Sequence, residues 1–192
     1  MATIAFTGKP AADELLSTEP LALLVGMLLD QQVPMEWAFE APALLKERLG
    51  GRLDCGEIAA MDPDKLRAVF SERPALHRYP GSMAERVHAL CRDIVERFDG
   101  RTEAIWTGAT TGDDLLARLK SLPGFGDQKA RIFVALLGKR LGAAPSGWEK
   151  AAGLYGEPGY YSVADVDGPE ALAKVREYKR EKKAAAKAAK DS

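Results

Sequence analysis

Apolar residues recur at helical spacing along most of the chain. In the run from Leu21 to Leu29, positions 21, 24, 25, 28 and 29 are apolar, which is the pattern of one buried helix face. A second stripe of this kind runs from Trp37 to Leu45. Pro10 and Pro20 stand where the first turn of a helix tolerates proline. Many short amphipathic segments with brief polar joints predict an all-α protein.

Polar residues mark the starts of further helices. The starts predicted from capping patterns are Asp62-Pro63, Ser82-x-x-Glu85 and Thr111-x-x-Asp114. The first of these helices is expected to run to about Phe70 and the second to Phe98. The helix that begins near Pro20 is expected to end near Gln32.

Composition narrows the function classes. The 192 residues are 46% hydrophobic, which is ample for one domain with a sizeable core. The formal net charge is −1 and the isoelectric point is about 6.2. This balance excludes a large, uniformly basic face, so any binding of nucleic acid requires a local patch. Trp37 and Trp106 lie in amphipathic surroundings and are expected in the core.

The two cysteines, Cys55 and Cys91, lack partners at the spacing of metal ligands. An iron–sulfur cluster needs four thiolates, and a structural zinc site is also disfavoured, so we expect no metal and no cofactor. The cysteines are expected to be reduced and near the core. The chain also lacks the pattern of a signal peptide, and its longest apolar run is too short to span a bilayer. We therefore expect a cytoplasmic protein.

The segment from Leu122 to Ala130 carries the most specific signal. Gly124 and Gly126 flank the apolar Phe125 between two helical patterns. A helix that starts after such a turn offers unpaired N–H groups and the positive end of its dipole, which suits a DNA phosphate. The glycines fit because the turn needs conformations that side chains resist, and because a bulky Cβ would hold the phosphate away. The alternative is a helix end and a turn in an unrelated all-α protein.

At these residues the sequence resembles the helix-hairpin-helix module of the HhH-GPD superfamily of base-excision DNA glycosylases. The motif of that superfamily reads roughly Leu-Pro-Gly-hydrophobic-Gly-x-x-x-Ala. Residues 28–33 are similar to the Gln-Gln helix end of alkylbase glycosylases, and residues 77–84 are similar to the loop that precedes the hairpin. The resemblance covers about residues 18–141 and implies a two-lobed helical fold with a groove for a flipped base.

The resemblance also implies a set of DNA-binding residues. They are Gly124, Phe125, Gly126, Gln128 and Lys129 in the hairpin, and Gln31, Gln32, Arg78 and Tyr79 outside it. Gln32 is the first choice to enter the gap left by a flipped base, although a helix-terminal amide can also bond the local backbone. Arg78 is expected to meet a phosphate, while Tyr79 either stacks on a base or packs beneath its loop.

Bifunctional members of the superfamily carry a lysine two residues after the second hairpin glycine. Here that position is Gln128, which has no nucleophilic amine. Lys129 follows it, turned by roughly 100° on a helix, and is expected to contact a phosphate or solvent. The resemblance therefore implies a monofunctional DNA N-glycosylase, a hydrolase that forms no Schiff base.

The carboxylate that the family places near the sugar is missing at its usual spacing, because an ungapped count reaches Ser146. Asp165 and Glu149 are the first candidates to replace it, and Asp30 follows them. Asp165 and Glu149 can instead be a helix cap and a solvated first-turn carboxylate. A non-catalytic DNA-binding protein of the same fold is thus an alternative, and a helical module unrelated to DNA is a third.

We predict one HhH-GPD-like helical domain at residues 1–170, with the hairpin at about 113–141. Residues 171–192 are predicted to be a basic C-terminal helix or a flexible tail. Its lysines and arginines either follow DNA phosphates or form a solvated face. The resemblance implies double-stranded, damaged DNA as the partner and no membrane. The protein is accordingly expected to be a nucleoid-associated monomer.

Overall fold

The computed structural model describes residues 4–192, so residues 1–3 of the predicted first domain lie outside the described part. Within that part the chain forms helices and no strand, which confirms the all-α prediction. The α-helices are α1 Pro10–Thr18, α2 Pro20–Leu29, α3 Met35–Arg48, α4 Cys55–Ala60, α5 Pro63–Ser71, α6 Pro80–Phe98, α7 Ala104–Thr107, α8 Gly112–Lys120, α9 Asp127–Leu136, α10 Trp148–Ala152 and α11 Pro169–Lys190. A π-helical turn, Leu137–Leu141, continues α9, and 3-10 turns lie at Gly153–Gly156 and Val163–Asp165.

The helices pack in two groups that share one core. Helices α1–α6 contact mainly one another, with α2 on α3 and α6 on both α4 and α5. Helices α8, α9 and α10 form the second group, together with the two 3-10 turns. A continuous cluster of buried apolar side chains joins the groups, and it contains nearly all of α2. The end of α2 thereby lies against the second group.

Two of the predicted helix starts are confirmed in detail. The Asp62 carboxylate accepts the backbone N–H groups of Asp64 and Lys65 at the start of α5. The Thr111 hydroxyl accepts the N–H of Asp114 at the start of α8. The predicted capping box at Ser82 is wrong, because Pro80 already occupies the first position of α6.

Helix α2 ends at Leu29, three residues before its predicted end near Gln32. Asp30 leaves the helical region with a ψ of 70°, and Gln32 has a left-handed φ of 58°. Residues 30–34 therefore form a short loop between α2 and α3. This early end brings Asp30 out of the core.

The predicted core residues are buried with one exception. Trp106 is 6% exposed, and both cysteines are free and buried, with Cys55 on α4 beside Cys91 on α6. Trp37 is not in the core as predicted, since it is 38% exposed and its indole N–H donates to the carbonyl of Ala75 at 3.2 Å. Across residues 4–192 the structure contains no helix with the length and apolar character needed to cross a membrane.

Candidate nucleic-acid interface

The turn between α8 and α9 uses its two glycines for different reasons. Gly124 has a φ of +83°, and a Cβ there would lie 3.2 Å from Cδ1 of Leu28. Gly126 has a φ of −75° and open space where a Cβ would be. The prediction that both glycines serve an unusual backbone conformation therefore holds for Gly124 and is wrong for Gly126. For a glycine at position 126, the remaining reason is the space that a bound phosphate needs.

Phe125 holds the turn to the protein. Its side chain is 4% exposed and meets the ring of Phe133 on α9 edge-on, with the ring centroids 6.1 Å apart. The Phe125 side chain is thus part of the core, and only its backbone is left to face DNA. Burying this ring fixes the hairpin on the helical body, so the start of α9 is held in one place.

The first turn of α9 is open to solvent. Gly126 is the N-cap and supplies no side chain to bond the free N–H groups of the helix start. Asp127 puts a carboxylate there, but Lys120 and Arg131 bond it at 3.0 and 2.8 Å. These hydrogen bonds, that of Arg131 first, lower the pKa of Asp127. Two cations thus offset the one acid beside the predicted phosphate site.

Gln128 and Lys129 point to different neighbours. The Gln128 amide donates to the Tyr155 hydroxyl at 3.0 Å, on the 3-10 turn that follows α10. The Lys129 ammonium donates to the carbonyl of Leu28 at 3.0 Å, in the last turn of α2. Burial lowers the pKa of Lys129 to about 8, a shift that the attraction of Asp30 reduces. Lys129 is therefore no freely solvated lysine, which corrects one of the two roles predicted for it.

A cleft of about 440 Å³ lies where the start of α9 meets the end of α2. Its size is in the range of pockets that hold small ligands. The lining side chains come from three separate parts of the chain: Met27, Asp30, Gly126, Asp127, Gln128, Lys129, Ile132 and Lys179. Asp30 is the one of our three candidate carboxylates that lines this cleft.

Asp30 lies among charged groups of both signs. Burial raises the pKa of its carboxyl group, and the positive charges of Lys179 and Lys129 lower it in part. Glu36 at the start of α3 adds a further rise, although Glu36 itself is paired with Arg176 of α11. Asp30 is consequently a carboxyl group with increased affinity for a proton, placed beside two amines.

The other two candidate carboxylates lie elsewhere. Asp165 is 7% exposed and accepts the Lys139 ammonium at 2.6 Å and the backbone N–H groups of Tyr161 and Ser162. Lys139 is twelve residues after Asp127 along α9 and its π-helical turn, which places it roughly 18 Å from the hairpin. Glu149 is exposed on α10 and does not line the cleft. Neither residue lines the cleft at the hairpin.

The two glutamines after α2 have different surroundings. Gln31 donates from its amide to the Leu28 carbonyl at 2.8 Å and accepts Arg86 at 3.2 Å. Gln32 is exposed and has a left-handed backbone conformation. Gln31 thus bonds its own helix end, which was the predicted alternative to a DNA contact. Within residues 4–192 the side chain of Gln32 makes no hydrogen bond.

His77 joins the loop of Gln31 to the loop that precedes α6. Its Nδ1 accepts the Tyr79 N–H at 3.0 Å, so Nε2 carries the proton and donates to the carbonyls of Leu29 and Gln31. Burial lowers the pKa of His77, which keeps the ring neutral. Arg78 and Tyr79 are exposed beside it, with the guanidinium 5.5 Å from the centroid of the Tyr79 ring. Tyr79 does not pack beneath its loop.

The family model of the HhH-GPD superfamily of base excision DNA repair proteins matches residues 25–191. The chain belongs to this superfamily. No curated protein and no solved structure gives a significant match. Membership in the HhH-GPD superfamily makes the chain a base excision repair protein and implies that it binds DNA.

The sequence analysis of this HhH-GPD protein placed Lys179 in the basic tail and did not connect it with Asp30. Lys179 comes from α11, 149 positions after Asp30, and no local pattern links the two. Ser146, at the spacing of the family carboxylate, uses its carbonyl to accept the N–H of Gly112. Among residues 4–192 no three His, Cys, Asp or Glu side chains cluster as metal ligands would.

Proposed function

We propose that this HhH-GPD protein is a monofunctional DNA N-glycosylase that hydrolyses the glycosidic bond of a damaged or mismatched base in duplex DNA. The observation that carries the proposal is the cleft, in which Asp30 lies beside the open first turn of α9. A phosphate bound at that turn would place its nucleotide next to the only candidate carboxylate in the cleft.

Asp30 supplies the negative charge in this proposal. As the bond between C1′ and the base breaks, the base takes the electron pair and positive charge develops on the sugar. The carboxylate stabilises that charge and accepts a proton from the water that attacks C1′. A raised pKa suits the second role, since a base whose pKa is closer to neutral accepts a proton more readily.

The two amines of the cleft support this role. Lys129 and Lys179 both stabilise the ionised form of Asp30, so burial does not simply neutralise it. They also put positive charge where the phosphates that flank a flipped nucleotide would lie. Gln128 is the residue at the family lysine position and has no amine, which supports hydrolysis without a covalent intermediate.

A second candidate is a non-catalytic protein that binds DNA structure or damage. Ser146 favours it, because the position of the family carboxylate holds a hydroxyl and its backbone serves the packing of α8. In that case Asp30 does no more than balance the charges of Lys129 and Lys179.

The experiment compares the parent with Asp30→Asn on a panel of duplexes that carry alkylated, oxidised, deaminated and mismatched bases. Abasic sites are detected by strand cleavage in alkali, and binding is measured separately. We expect Asp30→Asn to lower turnover at least about a hundredfold, the effect of removing a preorganised charge, and to keep its affinity for the lesion duplex.

Glu149→Gln is the matched control, since it removes an exposed carboxylate outside the cleft, and we expect it to retain full turnover. Asp165→Asn is assayed after its folding has been checked, because Asp165 is buried and bonded to Lys139. Full turnover in Asp30→Asn would overturn the assignment of Asp30. A parent that releases no base from the whole panel, yet binds duplex DNA, would support the non-catalytic candidate.

A further inference from the structure

The last helix, α11, divides into an anchored half and a free half. Ala171 and Val175 are buried against the body, and Tyr178 meets Tyr161 edge-on at 5.2 Å between ring centroids. Arg176 is paired with Glu36 on α3. From Lys179 onward every residue is exposed. The helix is thus fixed beside the cleft and then leaves the protein surface.

Four of the six basic residues from Lys179 onward follow one face, and Arg180 and Lys182 lie outside it. At 3.6 residues per turn, positions 179, 183, 187 and 190 fall within an arc of roughly 80°, and each of them is a lysine. We call Lys179, Lys183, Lys187 and Lys190 the lysine stripe. Arg176 lies in the same arc. Because Lys179 lines the cleft, the stripe starts there and continues outward.

The acidic residues of α11 lie on its opposite face. Glu170, Glu177 and Glu181 are all within about 20° of the direction opposite Lys179. Residues 180–190 hold five basic side chains and one acidic, a net charge of +4 in a chain whose formal net charge is −1. A helix that only needs solubility gains most from opposite charges at neighbouring positions. Lys174 pairs with Glu170 in this way in the anchored half, whereas no lysine of the stripe lies on the face of Glu181.

The stripe works against the stability of its own helix. Lys179 and Lys183, and then Lys183 and Lys187, are like charges four residues apart, and such pairs destabilise an isolated helix by a few tenths of a kcal/mol each. Packing does not offset this, since all residues from 180 to 192 are exposed. A row of anions along the stripe would remove the repulsion.

We propose that the lysine stripe is a DNA-backbone arm that binds the phosphates of the duplex beside the lesion. The inference rests on the proposed binding of DNA at the hairpin, but it does not require base hydrolysis. The stripe spans roughly 16 Å from Lys179 to Lys190, and a duplex strand carries a phosphate about every 3.4 Å of helix axis. The arm therefore reaches several phosphates in addition to those at the hairpin.

The test uses the full chain with the triple substitution Lys183→Gln, Lys187→Gln and Lys190→Gln. Glutamine keeps the helix propensity of lysine, and the three positions have no packing to lose. The matched control carries Lys65→Gln, Arg92→Gln and Arg101→Gln, which removes the same charge from exposed positions outside the cleft. The affinity for an undamaged duplex is measured between 50 and 300 mM salt.

We expect the slope of log K against log salt to fall by about 2 to 3 in the stripe variant, since each lost phosphate contact removes about 0.9. Affinity near 0.1 M salt should fall at least about tenfold, while the control stays close to the parent. If the stripe variant and the control variant have equal slopes and equal affinities, the proposal that the stripe binds DNA is wrong.

Binding to vesicles of phosphatidylglycerol and phosphatidylcholine is measured in parallel. The arm is also overturned if the stripe variant loses vesicle binding and keeps the affinity of the parent for DNA. Failure of DNA binding at the hairpin gives a different result. In that case the parent does not bind duplex DNA, or a variant with Gly126→Leu in the hairpin binds it as the parent does. Loss of base release alone leaves the arm intact.

Discussion

Gly124 and Gly126, which are separated by Phe125 in the hairpin, are glycines for different reasons. Gly124 is needed by the folded chain, because its φ is +83° and Leu28 fills the space beside it. Gly126 is in an ordinary extended conformation with nothing near it. The protein alone therefore gives no reason for glycine at position 126, whereas a phosphate approaching the N–H groups of α9 does.

This difference predicts opposite behaviour for two substitutions. Gly124→Ala should lower the free energy of unfolding by about 1 to 2 kcal/mol, the cost of a side chain in a left-handed conformation. Gly126→Leu should change it by less than about 1 kcal/mol and weaken duplex binding at least about tenfold, because the side chain covers the phosphate site. Urea unfolding and fluorescence anisotropy measure the two effects.

Gly168→Leu is the control for this pair, since Gly168 is also an N-cap with open space around it and lies outside the hairpin. It should bind DNA as the parent does. If Gly126→Leu folds and binds as tightly as this control, the hairpin is not the phosphate site.

At the scale of residues, candidate site residues within one local motif could be predicted from the sequence. Contacts between residues far apart in the chain could not. Gly124, Phe125 and Gly126 were found because the hairpin motif is local. The convergence of Asp30, Lys129 and Lys179 was not, since these residues lie far apart in the chain and meet only through the packing of α2, α9 and α11. Asp30 was ranked last of three carboxylates because spacing along the chain measures no distance in space.

At the scale of elements, His77 links two segments that both carry the family resemblance. It bonds the end of α2 through Leu29 and Gln31 and the start of α6 through Tyr79. The loop that exposes Gln32 and the loop that exposes Arg78 and Tyr79 are thus held together by one neutral imidazole. A change in the charge of this ring would disturb both segments at once.

His77→Phe should lower the free energy of unfolding by about 2 to 3 kcal/mol at pH 7.5, because buried polar groups on both segments lose their partner. In the parent the unfolded chain takes up a proton on this ring at a higher pH than the folded chain does, since burial lowers the pKa below 6.5 in the fold. The stability that His77 supplies is therefore lost as the pH falls below about 6.5.

Urea unfolding at pH 7.5 and pH 5 tests this, because all other titrating groups are common to both chains. The difference in stability between parent and variant should shrink at pH 5. A difference that stays constant or grows would mean that the ring is charged in the fold.

The all-α class could be predicted from the sequence, but the exact start and end of each helix could be predicted only in part. Asp62 and Thr111 cap their helices as expected, since a cap bonds groups two or three residues away. The N-cap of α6 was placed three residues late, at Ser82 and not at Tyr79, because a proline at the first position and a capping box are both acceptable starts and sequence alone does not choose between them. The end of α2 depends on His77, 48 residues from Leu29.

At the scale of the whole molecule, DNA binding depends on where the positive charges lie and not on the net charge. A formal net charge of −1 is unusual for a protein that binds DNA, yet Lys129 and Lys179 line the cleft, and Lys120 and Arg131 bond Asp127 beside it. A local cluster of cations of this kind attracts phosphates without a basic net charge.

The reaction class is also a property of the whole cleft, and it depends on whether an amine can attack the sugar. Lys129 is the one to consider, because a pKa of about 8 leaves much of its amine neutral at mildly alkaline pH. Its Nζ, however, is bonded to the carbonyl of Leu28 and is attracted by Asp30. Gln128, at the position from which the family lysine attacks, carries an amide.

We therefore expect no covalent adduct when the parent is incubated with a cleavable lesion duplex and borohydride at pH 8.5, where a neutral Lys129 would be most reactive. Gln128→Lys restores an amine at the family position and should give an adduct that runs as a shifted band on a denaturing gel, which makes it the positive control. Lys129→Met should behave as the parent does. An adduct in the parent that disappears in Lys129→Met would identify Lys129 as a nucleophile and the protein as a bifunctional enzyme.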